Sequence, residues 1–152
     1  MMTEISLNVL DVSENSTRAG ASLVTILVTA DTSADKLTIA IADNGCGMTP
    51  EQTAHVTDPF FTTRTTRKVG LGIPFFKYAA ESTGGSFHIE SEPGKGTTVT
   101  AVFGLSHIDR MPLGDMNATI HNLIVYHPDT DFLYTYTYND ASFTLDTREM
   151  RE

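Results

Sequence analysis

The chain has 152 residues, 40% of them apolar, enough for one domain with a sizeable core, and its single cysteine, Cys46, excludes an internal disulfide and a thiolate metal cluster. Acidic side chains outnumber basic ones 19 to 10 for a formal net charge of −9, a field that repels nucleic acids and anionic membrane surfaces and removes both from the expected partners. No run of about 18 apolar residues exists, and the start MMTEISLNVLDV lacks the basic flank of a secretory signal, so the expected location is cytoplasmic.

From Ile5 to Gly20 the apolar positions Ile5, Leu7, Val9, Leu10 and Val12 fit an amphipathic helix ended by AGA. Glu4, Asn8, Asp11 and Asn15 recur on its polar face at steps of three and four, and Glu4 with Asn8 reads as helix surface. Residues 23–32 and 36–43 alternate apolar and small polar side chains and read as a hairpin around SAD. TPEQ, from Thr49 to Gln52, opens a short helix with threonine as cap and proline in the first position. DPFFTTRTTRKVG, residues 58–70, has neither helical nor strand period and is expected to be a mobile loop.

Residues 73–82 read as a helix ended by Gly84 and Gly85, followed by strands over 86–92 and 97–104 with PGKG as their turn. Beyond about Leu105 the composition shifts, so residues 1–106 are expected to form the principal domain and 107–152 an extension packed on or beside it. That extension reads as a helix over 115–126, stopped before Pro128, and an aromatic hairpin turning at Asn139-Asp140. Phe132, Tyr134, Tyr136 and Tyr138 share one face of its first strand, expected to pack on the domain, with a partner surface as the alternative. DTRE resembles a helix cap with its reciprocal glutamate; a helix begun so late points to a truncated chain or to a tail that orders on a partner.

Three glycine clusters carry the chemistry, DNGCG at Asp43, VGLG at Val69 and GKGT at Gly94. A glycine pair opening a helix lets backbone amides meet phosphate oxygens at the positive end of the helix dipole. An aspartate at a strand end accepts a hydrogen bond from an exocyclic amine, and glycines beside it let a flat base approach. Asn15 and Asp11 offer oxygens to Mg2+, which takes one or two protein ligands and keeps its waters.

In this order the segments DVSENSTRAGA, DNGCGM, DPFFTTR, VGLGI and GKGTT resemble the boxes of the GHKL ATPases, the family of gyrase, heat-shock chaperones, mismatch-repair ATPases and histidine kinases; DPFFTT and GLG are most similar to the histidine-kinase branch. The resemblance spans roughly residues 4–104 and implies an α+β fold, a two-layer sandwich of helices on one face of a mixed, mostly antiparallel sheet. It implies ATP and Mg2+ as cofactors, Asn15 as metal ligand, Asp43 on the adenine amine, Gly45, Gly47 and Met48 around the adenine, and Thr98 backing Asp43. Gly70, Leu71 and Gly72 would lie against the phosphates, and Phe61, Thr63, Arg64 and Lys68, with Arg67, would reach the nucleotide from the lid, where a solvated basic loop is the alternative for each cation.

Hydrolytic members carry glutamate four residues before the metal-binding asparagine, and this chain has Asp11 there. Aspartate is one methylene shorter, and a displacement of about 1 Å costs on the order of a hundredfold in rate, so turnover is expected to be slow with Asp11 as catalytic carboxylate. Glu14 reads as a solvent carboxylate, and His55, His88, His107, His121 and His127 as surface or packing residues, none on an upstream dimerisation helix. The leading expectation is a nucleotide-gated regulatory module acting on an unidentified protein partner, with a homodimer possible. The alternatives are a protein kinase acting in trans, similar to anti-sigma factors, and an interaction domain without nucleotide.

Overall fold

The computed structural model describes residues 4–57 and 72–150. Alternation builds the first hairpin: Val24, Ile26, Val28 and Ala30 of β1 (Leu23–Asp31) and Leu37, Ile39 and Ile41 of β2 (Lys36–Asp43) point to one face and are buried. The strands pair antiparallel with Val24 opposite Asp43 and Asp31 opposite Lys36. Asp31 closes the turn, its Oδ1 accepting from the Ser33 hydroxyl at 2.7 Å and from the Ser33 and Ala34 amides at 3.0 and 3.1 Å. These bonds, the Ser33 hydroxyl first, hold its carboxyl below the ordinary aspartate range.

With β3 (Ser86–Glu92), β4 (Gly96–Gly104), β5 (Asp131–Tyr138) and β6 (Ala141–Asp146) the sheet has six strands in the order β3-β4-β2-β1-β5-β6. Among the described residues only β1 and β5 pair parallel, Leu23 opposite Asp131, and the other pairings are antiparallel, which is the mixed, mostly antiparallel sheet that the family resemblance implied. The aromatic hairpin therefore extends the first unit's sheet through the β1–β5 pairing. Phe132 and Tyr134 are buried, while Tyr138 is 49% exposed, so the aromatic face is covered only along its first half.

Helices cover one face in the same lateral order. α1 (Ile5–Arg18) lies over β1 and β2, flanked by helices on either side. The chain's next helix is the short α2 (Pro50–Val56), whose Thr49 hydroxyl accepts from the Gln52 amide while Gln52 Oε1 accepts from the Thr49 amide. α3 (Gly72–Glu81) covers β3 and β4; Gly84 takes a positive φ of 77° and the Gly85 amide bonds back to the Ala80 carbonyl at 3.1 Å, ending the helix. α4 (Met116–Tyr126) packs on α1 and β5, and α5 (Thr147–Met150) follows β6. Ile5, Val9 and Val12 of α1, Phe76 of α3 and Leu123 of α4 meet the inner strand residues, and Phe76 packs edge-on to Phe87 with ring centroids 6.3 Å apart. The opposite sheet face carries no helix among the described residues, and Leu27 there is 40% exposed.

One expectation is overturned on α1. Asn8, read from spacing as helix surface, is fully buried, and neither its amide oxygen nor its nitrogen has a hydrogen-bond partner among the described residues. The reason is lateral: α1 is covered by the sheet below and by α3 and α4 at its sides, so its solvent-facing arc is narrower than a surface helix's.

Phe132 tests whether the hairpin belongs to the same cooperative unit. Its side chain is fully buried, and its amide donates to Thr147 Oγ1 at 2.8 Å, while that hydroxyl donates to Asp131 Oδ1 at 3.0 Å. Phe132→Ala is expected to destabilise the whole chain by about 3–5 kcal/mol, read by urea denaturation as one transition shifted to lower midpoint. Two separate transitions would show that the hairpin folds independently.

Candidate functional site

β2 ends at the inner face of the sheet with Asp43, and two elements fix its carboxylate. Ser16 of α1, 4% exposed, donates its hydroxyl to Asp43 Oδ2 at 2.7 Å, and the Gly45 amide donates to Oδ1 at 2.9 Å. Asn44 ties the same loop to the α1–β1 connection: its Oδ1 accepts from the Ser22 and Leu23 amides at 2.8 and 3.0 Å, and its Nδ2 donates to Ser22 Oγ at 2.8 Å.

The glycines of DNGCG answer first to the protein's own backbone. A Cβ on Gly45 would stand 2.9 Å from the Ala19 Cβ and carbonyl oxygen, and the Cys46 amide bonds that carbonyl at 2.9 Å. Gly47 has φ +73°, and a Cβ there would collide with the Glu92 carbonyl at the end of β3. The Cys46 carbonyl accepts from the Gly94 amide at 2.7 Å, and the Met48 amide donates to Ser91 Oγ at 2.8 Å. The first and last glycine clusters are thus stitched together across the sheet end.

Between this loop and α1 lies a cavity of about 300 Å³. Its walls are apolar, from Val12, Ile41, Val56, Ile73 and Val99, with Asp43 and Thr97 as polar groups on the sheet side and Asn15 and Arg18 on the helix side. Gly47 and Met48 line it, and Gly45 does not. A flat heteroaromatic ring with a hydrogen-bond donor suits such walls.

Thr98 is not in this cavity. It pairs with Ala42 and is exposed on the open sheet face, whereas Thr97 stands opposite Asp43 and lines the cavity. A one-residue step along a strand reverses the face, so Thr97 rather than Thr98 borders the cavity, its hydroxyl 2.7 Å from Ser91 Oγ, while the side-chain donor that backs Asp43 is Ser16.

On the helix side, Asn15 Oδ1 accepts from Arg18 Nη1 at 3.1 Å while Asn15 Nδ2 is buried without an acceptor. Asp11 precedes Asn15 by one turn. Burial pushes its carboxyl above the ordinary range, the Arg18 charge opposes that and Glu14 adds to it. Gly72, the buried first residue of α3, lies against it: a Cβ there would come within 2.9 Å of the Asp11 Cβ, so the missing side chain is what seats α3 on α1. Glu14 is not the solvent carboxylate read from sequence; its Oε1 lies 2.8 Å from Nε2 of His127 at the end of α4.

A divalent cation fits this donor set. Asn15 lines the cavity and its amide orientation is favoured by Arg18 at Oδ1, while Asp11, which does not line the cavity, adds a carboxylate one turn away on the same helix. A neutral amide oxygen and one carboxylate are hard donors of the kind that a cation such as Mg2+ takes in small number while it keeps its waters. Phe61, Thr63, Arg64, Arg67, Lys68, Gly70 and Leu71 lie outside the described residues. Sequence reading missed Ser16, Arg18 and Thr97. The available signal was helical spacing for the first two, since Ser16 follows Val12 by four on the core side and Arg18 follows Asn15 by three.

Residues 1–107 match the family described as histidine kinase-, DNA gyrase B-, and HSP90-like ATPases. The sensor protein SrrB of Staphylococcus aureus (strain NCTC 8325 / PS 47) is 33% identical over 102 residues, which cover 64% of this chain and 17% of SrrB, so the chain spans a small part of that relative's length. Among solved structures, the N-terminal domain of a DNA repair protein superposes with a TM-score of 0.66 at 13% identity, covering 95% of this chain and 53% of that one. The Aquifex aeolicus MutL ATPase domain complexed with ADP superposes with a TM-score of 0.57 at 16% identity, covering 96% and 64%. The two likenesses show the same fold, and with well over half its length matched the chain belongs to the histidine kinase-, DNA gyrase B- and HSP90-like ATPase family.

Proposed function

We propose that the cavity takes the adenine ring of ATP and that the chain is a Mg2+-dependent ATP-binding module, a nucleotide-gated regulator with slow or partner-dependent hydrolysis. The clamped carboxylate of Asp43 carries this reading. Donors from Ser16 and Gly45 fix both oxygens as acceptors beside apolar walls, so a 6-amino purine is accepted and a 6-keto purine, which brings an acceptor, is refused. Calorimetric titration is expected to show MgATP bound and MgGTP not. Asp43→Asn is expected to weaken MgATP by about 10- to 100-fold, and Ser16→Ala by about threefold to tenfold through loss of one clamp. Equal affinity for both nucleotides, or a silent Asp43→Asn, would defeat the reading.

In this mechanism Asn15 Oδ1 would hold Mg2+, which when bound supplies neutralisation of phosphate charge. Asp11 would orient or deprotonate the attacking water from α1, and its short side chain sets a low rate. A base must be ionised to act. Because burial raises the Asp11 carboxyl, phosphate release is expected to rise with pH through a midpoint above the usual aspartate range, and Asp11→Asn should abolish that limb while nucleotide still binds. A wild-type profile flat through mild acid would remove Asp11 from the reaction.

The sensor-protein relative motivates a second reading, phosphoryl transfer to a partner protein. Label from gamma-labelled ATP recovered on protein, with no free phosphate, would favour it over self-contained hydrolysis.

A further inference from the structure

Arg18 is the one Lys or Arg lining the cavity among the described residues, and among these it has no carboxylate within 4 Å, although its charge is felt by Asp11 and the chain is strongly acidic. Its guanidinium is spent instead on a neutral group, Nη1 donating to Asn15 Oδ1 at 3.1 Å from three residues along the same helix. That oxygen is the atom assigned above to the cation. The other end of the same amide, Nδ2, is buried with no acceptor, and exchanging the two ends would set nitrogen against the guanidinium and bury the oxygen without a donor.

We propose that Arg18 is a positioning residue and a built-in stand-in cation: its guanidinium fixes which end of the Asn15 amide presents the oxygen and must leave that oxygen when a divalent ion arrives. This rests on the nucleotide reading for its setting, since a cation exchange at Asn15 matters where a metal-phosphate group is delivered. The exchange returns one positive charge to the mouth of the cavity for each ion taken up. It also means that metal binding works against an existing charge-assisted hydrogen bond, a competition worth about a threefold to tenfold change in affinity at an exposed site.

Two measurements test it. In nucleotide-free protein, Mn2+ alone is titrated while paramagnetic broadening of the Asn15 side-chain amide resonances is followed by NMR. Arg18→Met is expected to lower the Mn2+ concentration for half-broadening by about threefold to tenfold, and Arg18→Lys, which keeps a charge but loses the planar fork, to fall between the two. Unchanged or weakened broadening in Arg18→Met overturns the proposal. In the second, the ratio of ATP dissociation constants in EDTA and in Mg2+ is expected to increase by a similar factor in Arg18→Met, and not in an Asn15→Ala background. An increase of the same size in both backgrounds overturns the stand-in role. If the Mn2+ arm succeeds and no variant binds nucleotide, the nucleotide reading fails and the Arg18 assignment stands; if nucleotide binds and the Mn2+ arm is flat, the reverse holds.

Discussion

The carboxylate of Asp43 is where the layers of this molecule are forced into register. One oxygen is held by a hydroxyl from α1 and the other by an amide of the loop that follows β2, so the helix, the strand and the loop meet at a single charged group. Leaving either donor unpaired at this partly buried point would cost on the order of 1–3 kcal/mol, comparable with losing a buried methyl or two. The position of α1 along the sheet follows from that. With Ser16 seated on Asp43, Val12 and Val9 fall over the inner residues of β1 and β2, and Asn15 and Arg18 are left at the cavity.

α1 consequently carries several chemical tasks on less than three turns. Ser16 orients the carboxylate, Asn15 offers the oxygen suited to a cation, Asp11 presents a carboxyl raised by burial, and Glu14 reaches across to His127 at the end of α4. Because these side chains share one rigid backbone, a tilt of the helix moves all of them together. The packing of Gly72 on Asp11 and of α4 on α1 restrains that tilt from both flanks.

Much of this was legible in the sequence because local rules wrote it. Alternation gave the hairpins, the Thr49 and Gln52 pair gave the start of α2, and DNGCG marked the loop that borders the cavity beside Asp43. What escaped depended on contacts between distant residues. Thr98 was chosen where Thr97 faces the cavity, since the repeat of two along a strand says that neighbours face opposite ways but not which of them faces the helices. Asn8 looked solvated because helical spacing knows nothing of α3 and α4 closing over it. The glycines of DNGCG were read for a ligand's approach, while two of them are required by the nearness of Ala19 and of the Glu92 carbonyl, which only the folded chain brings there. The place of the aromatic hairpin in the main sheet rests on a parallel pairing of Leu23 with Asp131, for which no short-range signal exists.

That parallel pairing also sets an order of events during synthesis. β1 is made before both of its neighbours: its antiparallel partner β2 follows at once through a short turn, but its other edge waits for β5, more than a hundred residues later along the chain. Until that segment leaves the ribosome, the row of amides and carbonyls along Leu23–Asp31 stays open beside Val24, Ile26 and Val28, a flat and apolar template for another nascent chain. Closure over so long a loop is also entropically slow relative to hairpin formation. The step that completes the sheet is therefore the one at which folding and self-association compete, and its outcome is governed by how soon β5 docks rather than by how tightly the finished core is packed.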